Sequence, residues 1–217
     1  IHIEATVQTE SGTATVKIRD SHTNILWVEV NGEVVFGQKE GCRAEAPEAP
    51  EETEGEAVPL IHRYTLREML EYVETVPAEE IAFIRDAFAM NMELFRKGMD
   101  SDRTPYLHYL LEANGDALFS ENESAASLLC NGAIESRVIG LDAPAMSITG
   151  SGAHGIIATM PLYGVAKIRG LSETELCRAT ALSYLICMYI KEYSGRLSAF
   201  CGCAIAAGSG MACGLVF

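Results

Sequence analysis

Basic residues are scarce in this sequence. Its 217 residues include 16 lysines and arginines against 30 aspartates and glutamates, which gives a formal net charge of −14. A protein that binds nucleic acid needs lysine and arginine to neutralise phosphates, and anionic membrane surfaces attract the same side chains. The shortage therefore argues against both kinds of partner. Much of the acid lies in residues 40–57, which contain seven glutamates and a single basic residue, Arg43.

The pattern of a disulfide scaffold is also lacking. The seven cysteines are an odd number, their spacing is not that of a small secreted domain, and no signal peptide opens the chain. These features predict reduced thiols and a cytoplasmic protein. The chain begins at Ile1 rather than at a methionine and stops at Phe217 within an apolar run. We therefore expect it to be a fragment of a longer polypeptide, truncated at both ends.

Large aliphatic residues are few in the final 21 residues, 197–217, although none of these residues is charged. The length is that of a membrane span, and Gly210 and Gly214 have the GxxxG spacing of paired transmembrane helices. The high content of glycine, alanine and serine favours a buried helix instead. The membrane span stays open as the alternative.

The hydrophobic pattern predicts an α+β fold, with a small N-terminal antiparallel sheet and a helix followed by a mainly α-helical domain. Apolar residues alternate with polar ones through the first forty residues, as in half-buried strands. Asn31-Gly32 marks a hairpin between two of about four strands. Residues 40–59 are rich in glutamate, proline and alanine, which is typical of a solvated loop.

After residue 59 the period becomes helical. Capping boxes at Thr65 and Ser172 each start a helix, and Pro77 is expected to start another at its first position, with Gly98 ending it. Further helices are predicted over 124–140, 155–169, 173–193 and 197–216. The helix over 173–193 is apolar on every side, so it should be central and buried. We assign residues 1–76 to the sheet, its helix and the acidic loop, and residues 77–217 to the helical domain.

Residues 150–155 read GSGAHG and fit the dinucleotide fingerprint G-x-G-x-x-G. That motif needs a strand before it, which Met146 to Thr149 could form, and an acid about twenty residues later, near Glu173. A second interpretation is a helix start whose free backbone N–H groups bind an anion such as a substrate carboxylate. A third is a close helix–helix crossing that needs small residues. His154 is a candidate acid, base or hydrogen-bond donor, or a histidine that only satisfies its neighbours.

The segment 194–203 combines Arg196 and two serines with Cys201 and Cys203. An arginine there could hold a carboxylate bidentately. A spacing of one residue between the cysteines is poor for a zinc pair, which favours two to four intervening residues. The alternative is that these are buried structural cysteines, since free cysteine is among the most buried residue types.

Two segments together, residues 148–156 (ITGSGAHGI) and 195–208 (GRLSAFCGCAIAAG), resemble the L-cysteine desulfidase family, whose uncharacterised members are called UPF0597. That family is similar to the α chain of the iron–sulfur L-serine dehydratases. Residues 20–25 and 65–76 also resemble its middle region, so the resemblance covers essentially the whole chain. It implies β-elimination from a small amino acid, cysteine or serine, to give pyruvate and ammonia. A 4Fe–4S cluster held by three cysteines would leave one iron open to act on the substrate.

Carried over residue by residue, the resemblance implies one cluster ligand, Cys201 in preference to Cys203, and a set of substrate-binding residues. These are Ser151, Gly152, His154, Gly155, Arg196 and Ser198. The family usually has Asn-Gln where this chain has Ala153 and His154, and the catalytic residue is not assigned.

The family's other two cluster cysteines lie in a later segment, and a Gly-Cys-Thr motif lies earlier. We therefore expect the cluster in the full-length parent and neither cluster nor activity in this chain alone. Apolar surface at its cut end predicts a homodimer or a covering partner. The alternative function is a non-catalytic family member that binds an amino acid or another chain.

Overall fold

The computed structural model describes residues 2–20, 24–39, 58–115, 117–119, 124–195, 198 and 200–217. The chain divides into two compact units, residues 1–56 and residues 57–217. The first contains the strands and the second contains the helices, which confirms the α+β prediction. The predicted acidic loop lies almost entirely outside the described residues, as do Ser21, His22 and Thr23.

The first unit is a four-stranded antiparallel meander in the order β1-β2-β3-β4. The strands are β1 (His2–Thr9), β2 (Gly12–Arg19), β3 (Ile25–Val30) and β4 (Glu33–Gly37). Asn31 and Gly32 join β3 to β4 with φ angles of 52° and 86°. Positive φ at both central residues belongs to the tight hairpin turn that matches strand twist, so the predicted hairpin is confirmed. The side-chain oxygen of Asn31 also accepts from the backbone N–H of Thr13 at 2.8 Å.

Strand alternation separates the two faces of this sheet. Ile3 pairs with Ile18 and Val28 pairs with Phe36 on one face, where Ile3 and Phe36 stay exposed. Trp27, on the opposite face, is buried, and the ammonium of Lys39 lies 4.8 Å from its ring centroid.

The second unit contains α1 (Leu66–Thr75), α2 (Arg85–Met99), α3 (Pro105–Ala113), α4 (Ser124–Val138), α5 (Gly152–Arg169), α6 (Glu173–Glu192) and α7 (Ser209–Val216). Short 3₁₀ turns cover Leu60–Arg63 and Ala82–Ile84, and a π-helix covers Cys203–Gly208. Both predicted capping boxes are present, at Thr65 and at Ser172. Pro105 starts α3, a helix that the sequence analysis did not predict.

The prediction that a helix starts at Pro77 is wrong. The Pro77 carbonyl accepts from the N–H of Glu80 at 3.0 Å in a turn, a 3₁₀ segment follows, and α2 begins only at Arg85. The reason is packing, because Ile81 and Ile84 must both enter the core beside α1 and α6. The predicted helix over 197–216 is likewise shorter, since regular structure there begins with the π-helix.

In the described residues, the second unit has three clusters of buried residues, two large ones and a small one in which Cys187 of α6 packs with Ala206 and Ala207. The helix α6 contributes to the first and the third, in line with its predicted central position. In the first core, Val73 of α1 packs with Leu182 of α6. In the second, Phe95 of α2, Leu129 of α4 and Ile156 of α5 pack together. The helix α1, which the sequence analysis grouped with the sheet, therefore has its buried face in the core of the helical unit. In the described ranges, no helix combines the length and apolar character that a bilayer crossing needs.

Candidate functional site

The glycine loop forms a tight turn at the start of α5. The N–H of Ile148 donates to the Ser151 carbonyl at 3.2 Å, and the N–H of Ser151 donates back at 3.0 Å. Thr149 and Gly150 lie between them with φ angles of 55° and 79°. Positive φ is uncommon for a β-branched residue and indicates local strain. Ser151 then caps α5, because its Oγ accepts from the N–H of His154 at 3.4 Å.

The strand suggested over Met146 to Thr149 is absent, so that suggestion was wrong. This part of the described chain has a single isolated bridge between Ile148 and Ser151. The turn reverses the backbone immediately before the helix and leaves no length for a strand. The nicotinamide interpretation therefore loses the strand that the dinucleotide motif requires.

Two glycines of the loop allow neighbouring groups to lie close to the backbone of α5. A Cβ on Gly155 would lie 1.9 Å from the Met146 carbonyl oxygen and 3.1 Å from Ser147 Cα. A Cβ on Gly152 would lie 2.7 Å from Nε of Arg137, at the end of α4. The predicted helix–helix crossing is therefore wrong at Gly155, because the group that approaches it is the backbone of Met146 and Ser147, which belongs to no helix.

His154 is buried, with 4% of its surface exposed. Its Nδ1 lies 2.8 Å from Oγ1 of Thr149, and this hydroxyl donates its own proton to the Ile148 carbonyl at 2.6 Å. Thr149 must therefore accept from Nδ1–H, which leaves Nε2 of the neutral ring as an acceptor. Burial, and then the positive charges of Lys191 and Arg137, lower the pKa of His154, so the neutral form is favoured.

Gly202 brings the two predicted segments together. A Cβ at this position would lie 2.8 Å from both Cε1 and Nε2 of His154, and 3.5 Å from Cδ of Lys191. The glycine of the Cys-Gly-Cys run therefore packs directly on the imidazole of the glycine loop. The family resemblance rested on both segments, and the structure places them in direct contact.

Lys191, near the end of α6, is a site residue that the sequence analysis missed. It is 5% exposed, and its ammonium donates to Oγ of Ser194 at 3.2 Å and of Ser198 at 3.0 Å. A pattern in the sequence could have identified Lys191 as a buried residue. Thr180, Ser183 and Cys187 recur on the same helical face as Lys191, and all four are buried.

The two thiols of the Cys-Gly-Cys run differ. Cys201 is exposed and Cys203 is half-buried. Hydrogen bonds to Cys201 from the backbone N–H and the thiol of Cys203, and from the N–H of Ala204, lower the pKa of Cys201. Burial, and then the neighbouring Cys201, raise the pKa of Cys203. Burial also raises the pKa of Cys130 to about 12. Cys201 is therefore the better thiolate.

The predicted substrate residues fall into three groups. Ser151, Gly152, His154 and Gly155 lie together at the start of α5, and Ser198 lies beside Lys191. Arg196 lies outside the described residues. Where the structure describes the chain, neither Lys191 nor Arg137 has a carboxylate within ion-pair distance. The site is therefore positively charged and suited to an anion.

A complete metal site is not formed by these residues. Within the described ranges, no three histidine, cysteine, aspartate or glutamate side chains lie close enough together to hold a metal ion. Cys201 has the exposure and the thiolate character of a single ligand. An iron–sulfur cluster that uses three protein thiolates therefore does not fit the described residues alone.

Comparison with known proteins supports the family resemblance that the two segments indicated. Residues 7–217 match the family model described as serine dehydratase alpha chain, and the chain belongs to this family. A UPF0597 protein of Clostridium botulinum strain Langeland is 38% identical over 220 residues, which cover all of this chain and 50% of the relative. UPF0597 proteins of Caldanaerobacter subterraneus subsp. tengcongensis and Methanocella arvoryzae are 32% and 33% identical, again over all of this chain, and 48% and 49% of their own lengths are covered.

The chain therefore spans about half the length of the curated relatives it matches. No solved structure matches it.

Proposed function

We propose that this chain is part of an iron–sulfur-dependent amino-acid lyase of the L-cysteine desulfidase or L-serine deaminase type. The reaction would be β-elimination, giving pyruvate and ammonia. The observation that carries the proposal is the packing of Gly202 on His154, which joins a positively charged anion site to a nucleophilic thiol. Membership in the serine dehydratase alpha chain family supports the same reaction class.

The substrate's carboxylate would bind at the start of α5. Helix starts carry a partial positive charge and free N–H groups. At this one, formed by Ser151, Gly152, His154 and Gly155, the N–H groups of His154 and Gly155 bond to Ser151, so those of Gly152 and Ala153 would face the carboxylate. Arg137 adds a second positive group next to Gly152. Holding the carboxylate there fixes the orientation of the amino acid, and orientation alone can lower a barrier substantially.

Cys201 would supply one thiolate ligand to a 4Fe–4S cluster. Its lowered pKa and its exposure favour it over Cys203, because a ligand must be deprotonated and accessible. When bound, such a cluster supplies a Lewis-acidic iron for the leaving group. Since the described residues do not complete the ligand set, we derive the roles of this chain's own groups only.

Anaerobic reconstitution of the full-length parent with iron and sulfide, followed by pyruvate assays on L-cysteine and L-serine, tests the proposal. We expect the parent to take up about four irons and form pyruvate, the Cys201→Ser variant to lose both properties, and the Cys203→Ser variant to keep its iron. The purified chain alone should stay colourless and inactive. A parent without iron uptake, or this chain with a full cluster, would contradict the proposal.

A second candidate is a non-catalytic family member that binds an amino acid or a partner chain. It predicts amino-acid binding by the reconstituted parent with no pyruvate formed. We also propose a cytoplasmic location and a homodimer, in keeping with exposed apolar side chains such as Phe83 and Tyr109. Light scattering of the purified protein tests the dimer.

A further inference from the structure

A cavity of about 340 Å³ lies beside the segment that leads into the glycine loop. Its walls come from α1, the 3₁₀ turn at 82–84, the start of α2, the middle of α6 and residues 146–148. Four of the lining side chains are almost wholly buried, namely Ile81, Ile84, Ala87 and Ala181. The cavity therefore borders the first core of the helical unit.

The outer part of the cavity is apolar as well, because the exposed side chains of Tyr72, Phe83 and Met188 also line it. None of the described residues that line the cavity is charged. Four other cavities in the described ranges each include at least one charged side chain. Apolar walls without a charge favour a neutral ligand, since an ion would lose its hydration there and gain no partner.

The volume of the cavity limits the size of the ligand. A dry apolar cavity of roughly 150 Å³ holds benzene, and small-molecule sites usually begin at roughly 300 Å³. At about 340 Å³, this cavity has room for two fused rings. A rigid ring system loses less conformational freedom on binding than an aliphatic chain of the same area does. The walls and the volume together favour a small aromatic compound.

Tyr184 of α6 provides a polar group in these apolar walls. Its side chain lines the cavity, and its hydroxyl oxygen is one of two buried side-chain polar atoms in the described residues without a hydrogen-bond partner. The other is Oγ1 of Thr180, one turn earlier on α6. Burial, and then the neighbouring Cys187, raise the pKa of Tyr184, so the hydroxyl keeps its proton and is a donor. A buried hydroxyl without a bond costs free energy, and an acceptor atom on a ligand would remove that cost.

We infer that this cavity binds a neutral aromatic molecule of one or two rings, and that the hydroxyl of Tyr184 donates to an acceptor on it, such as a ring nitrogen or a carbonyl. The lining residues are different from the proposed substrate residues, so this inference does not rest on the proposed function. A bound ring would contact Ser147 and Ile148, which lead into the strained turn at Thr149. The ligand would therefore lie against the backbone that precedes the start of α5.

Nuclear magnetic resonance titrations of the isotope-labelled chain with quinoline and naphthalene test this site. The two probes have the same shape, and only quinoline has an acceptor, its ring nitrogen. We expect both to bind and to shift the backbone N–H signals of Ser147 and Ile148. Tyr184→Phe removes the donor and keeps the ring, so it should weaken quinoline relative to naphthalene roughly two- to tenfold, as for one hydrogen bond. Tyr109→Phe, at an exposed tyrosine of α3, is the matched control and should leave this ratio unchanged.

Thermal unfolding without any ligand tests the hydroxyl independently. Tyr184→Phe should melt about 2–4 °C above the wild type, because the variant no longer buries an unpaired hydroxyl. Tyr109→Phe should melt within about 1 °C of the wild type, since its hydroxyl lies on an exposed side chain. The same measurement checks that both variants are folded.

The inference is wrong if quinoline leaves the signals of Ser147 and Ile148 unshifted, or if Tyr184→Phe keeps the wild-type ratio of the two affinities. A Tyr184→Phe chain that melts at or below the wild-type temperature would show that the hydroxyl already has a partner, and would also overturn it. The quinoline titration is repeated on the full-length parent, where absence of binding would show that the rest of the polypeptide fills the cavity. None of these results depends on pyruvate formation, by which the lyase proposal is judged.

Discussion

Replacing Gly155 with alanine measures how closely the glycine loop is packed. The added Cβ would lie 1.9 Å from the Met146 carbonyl oxygen, which is backbone and cannot rotate away. The Met146 N–H is in turn held by Oδ1 of Asn91 at 3.0 Å, so displacing this segment strains a second contact. Overpacking of this kind costs about 1–3 kcal/mol, and the hydrogen bond to Asn91 is worth about 1 kcal/mol more.

Alanine regains up to about 1 kcal/mol, because it favours a helix more than glycine does. The net loss should be about 2 kcal/mol, which for a chain of this size lowers the melting temperature by about 4–8 °C. Differential scanning calorimetry at neutral pH measures this change. Gly208→Ala is the control, because its Cβ would have one neighbour, the Cys203 carbonyl oxygen at 3.4 Å. A Gly155→Ala protein that melts within about 1 °C of the wild type would refute the close packing of Gly155 on the Met146 carbonyl.

Three further predictions concern the thiols, the histidine and the core. At about pH 7.5, iodoacetamide should label Cys201 before the other cysteines, because its pKa is lowered. Cys203→Ala should slow this labelling by removing a donor, and mass spectrometry of the peptides reads both rates. The pKa of His154 lies below its ordinary 6.5, so the unfolded chain binds the proton first and stability is lost as the pH falls below about 6.5. Melting temperatures from about pH 7.5 to 5 should fall less in His154→Gln than in the wild type, and parallel curves would contradict this. Asn91→Ala should cost about 2–3 kcal/mol in urea unfolding, because Met146 N–H and Thr159 lose their partner.

The elements that were predictable from sequence are those set by local patterns. The hairpin at Asn31-Gly32 requires positive φ at two successive residues, and few other dipeptides tolerate this. The helix starts at Thr65 and Ser172 depend on side chains only three residues away. The prediction at Pro77 failed because the fixed backbone angle of proline suits a turn as well as the first position of a helix. Here the chain forms a turn, which lets Ile81 enter the core.

The site was less predictable because its parts are distant in sequence. His154 and Gly202 come from different elements, and only the packing of α5 against the π-helix brings them together. The positive φ of Thr149 could not be expected, since threonine disfavours it. Lys191 was overlooked because a lysine near a helix end is normally solvated, whereas this one is 5% exposed, bonds to Ser194 and Ser198 and lies beside Gly202.

The π-helix over Cys203–Gly208 has a geometric consequence for the site. Its hydrogen bonds skip one residue more than those of an α-helix, so it changes the angular phase between the two ends of the segment. Beyond it, Gly210 packs on the Ser183 carbonyl and Gly214 on the Ala179 carbonyl of α6. Loss of one residue from the π-helix would restore the α-helical phase and turn the Cys201 end by roughly 100° about the axis. Gly202 would move off the His154 ring while the contacts of Gly210 and Gly214 stayed in place. Insertions and deletions in this short segment, rather than substitutions, would therefore set the direction in which the thiol points.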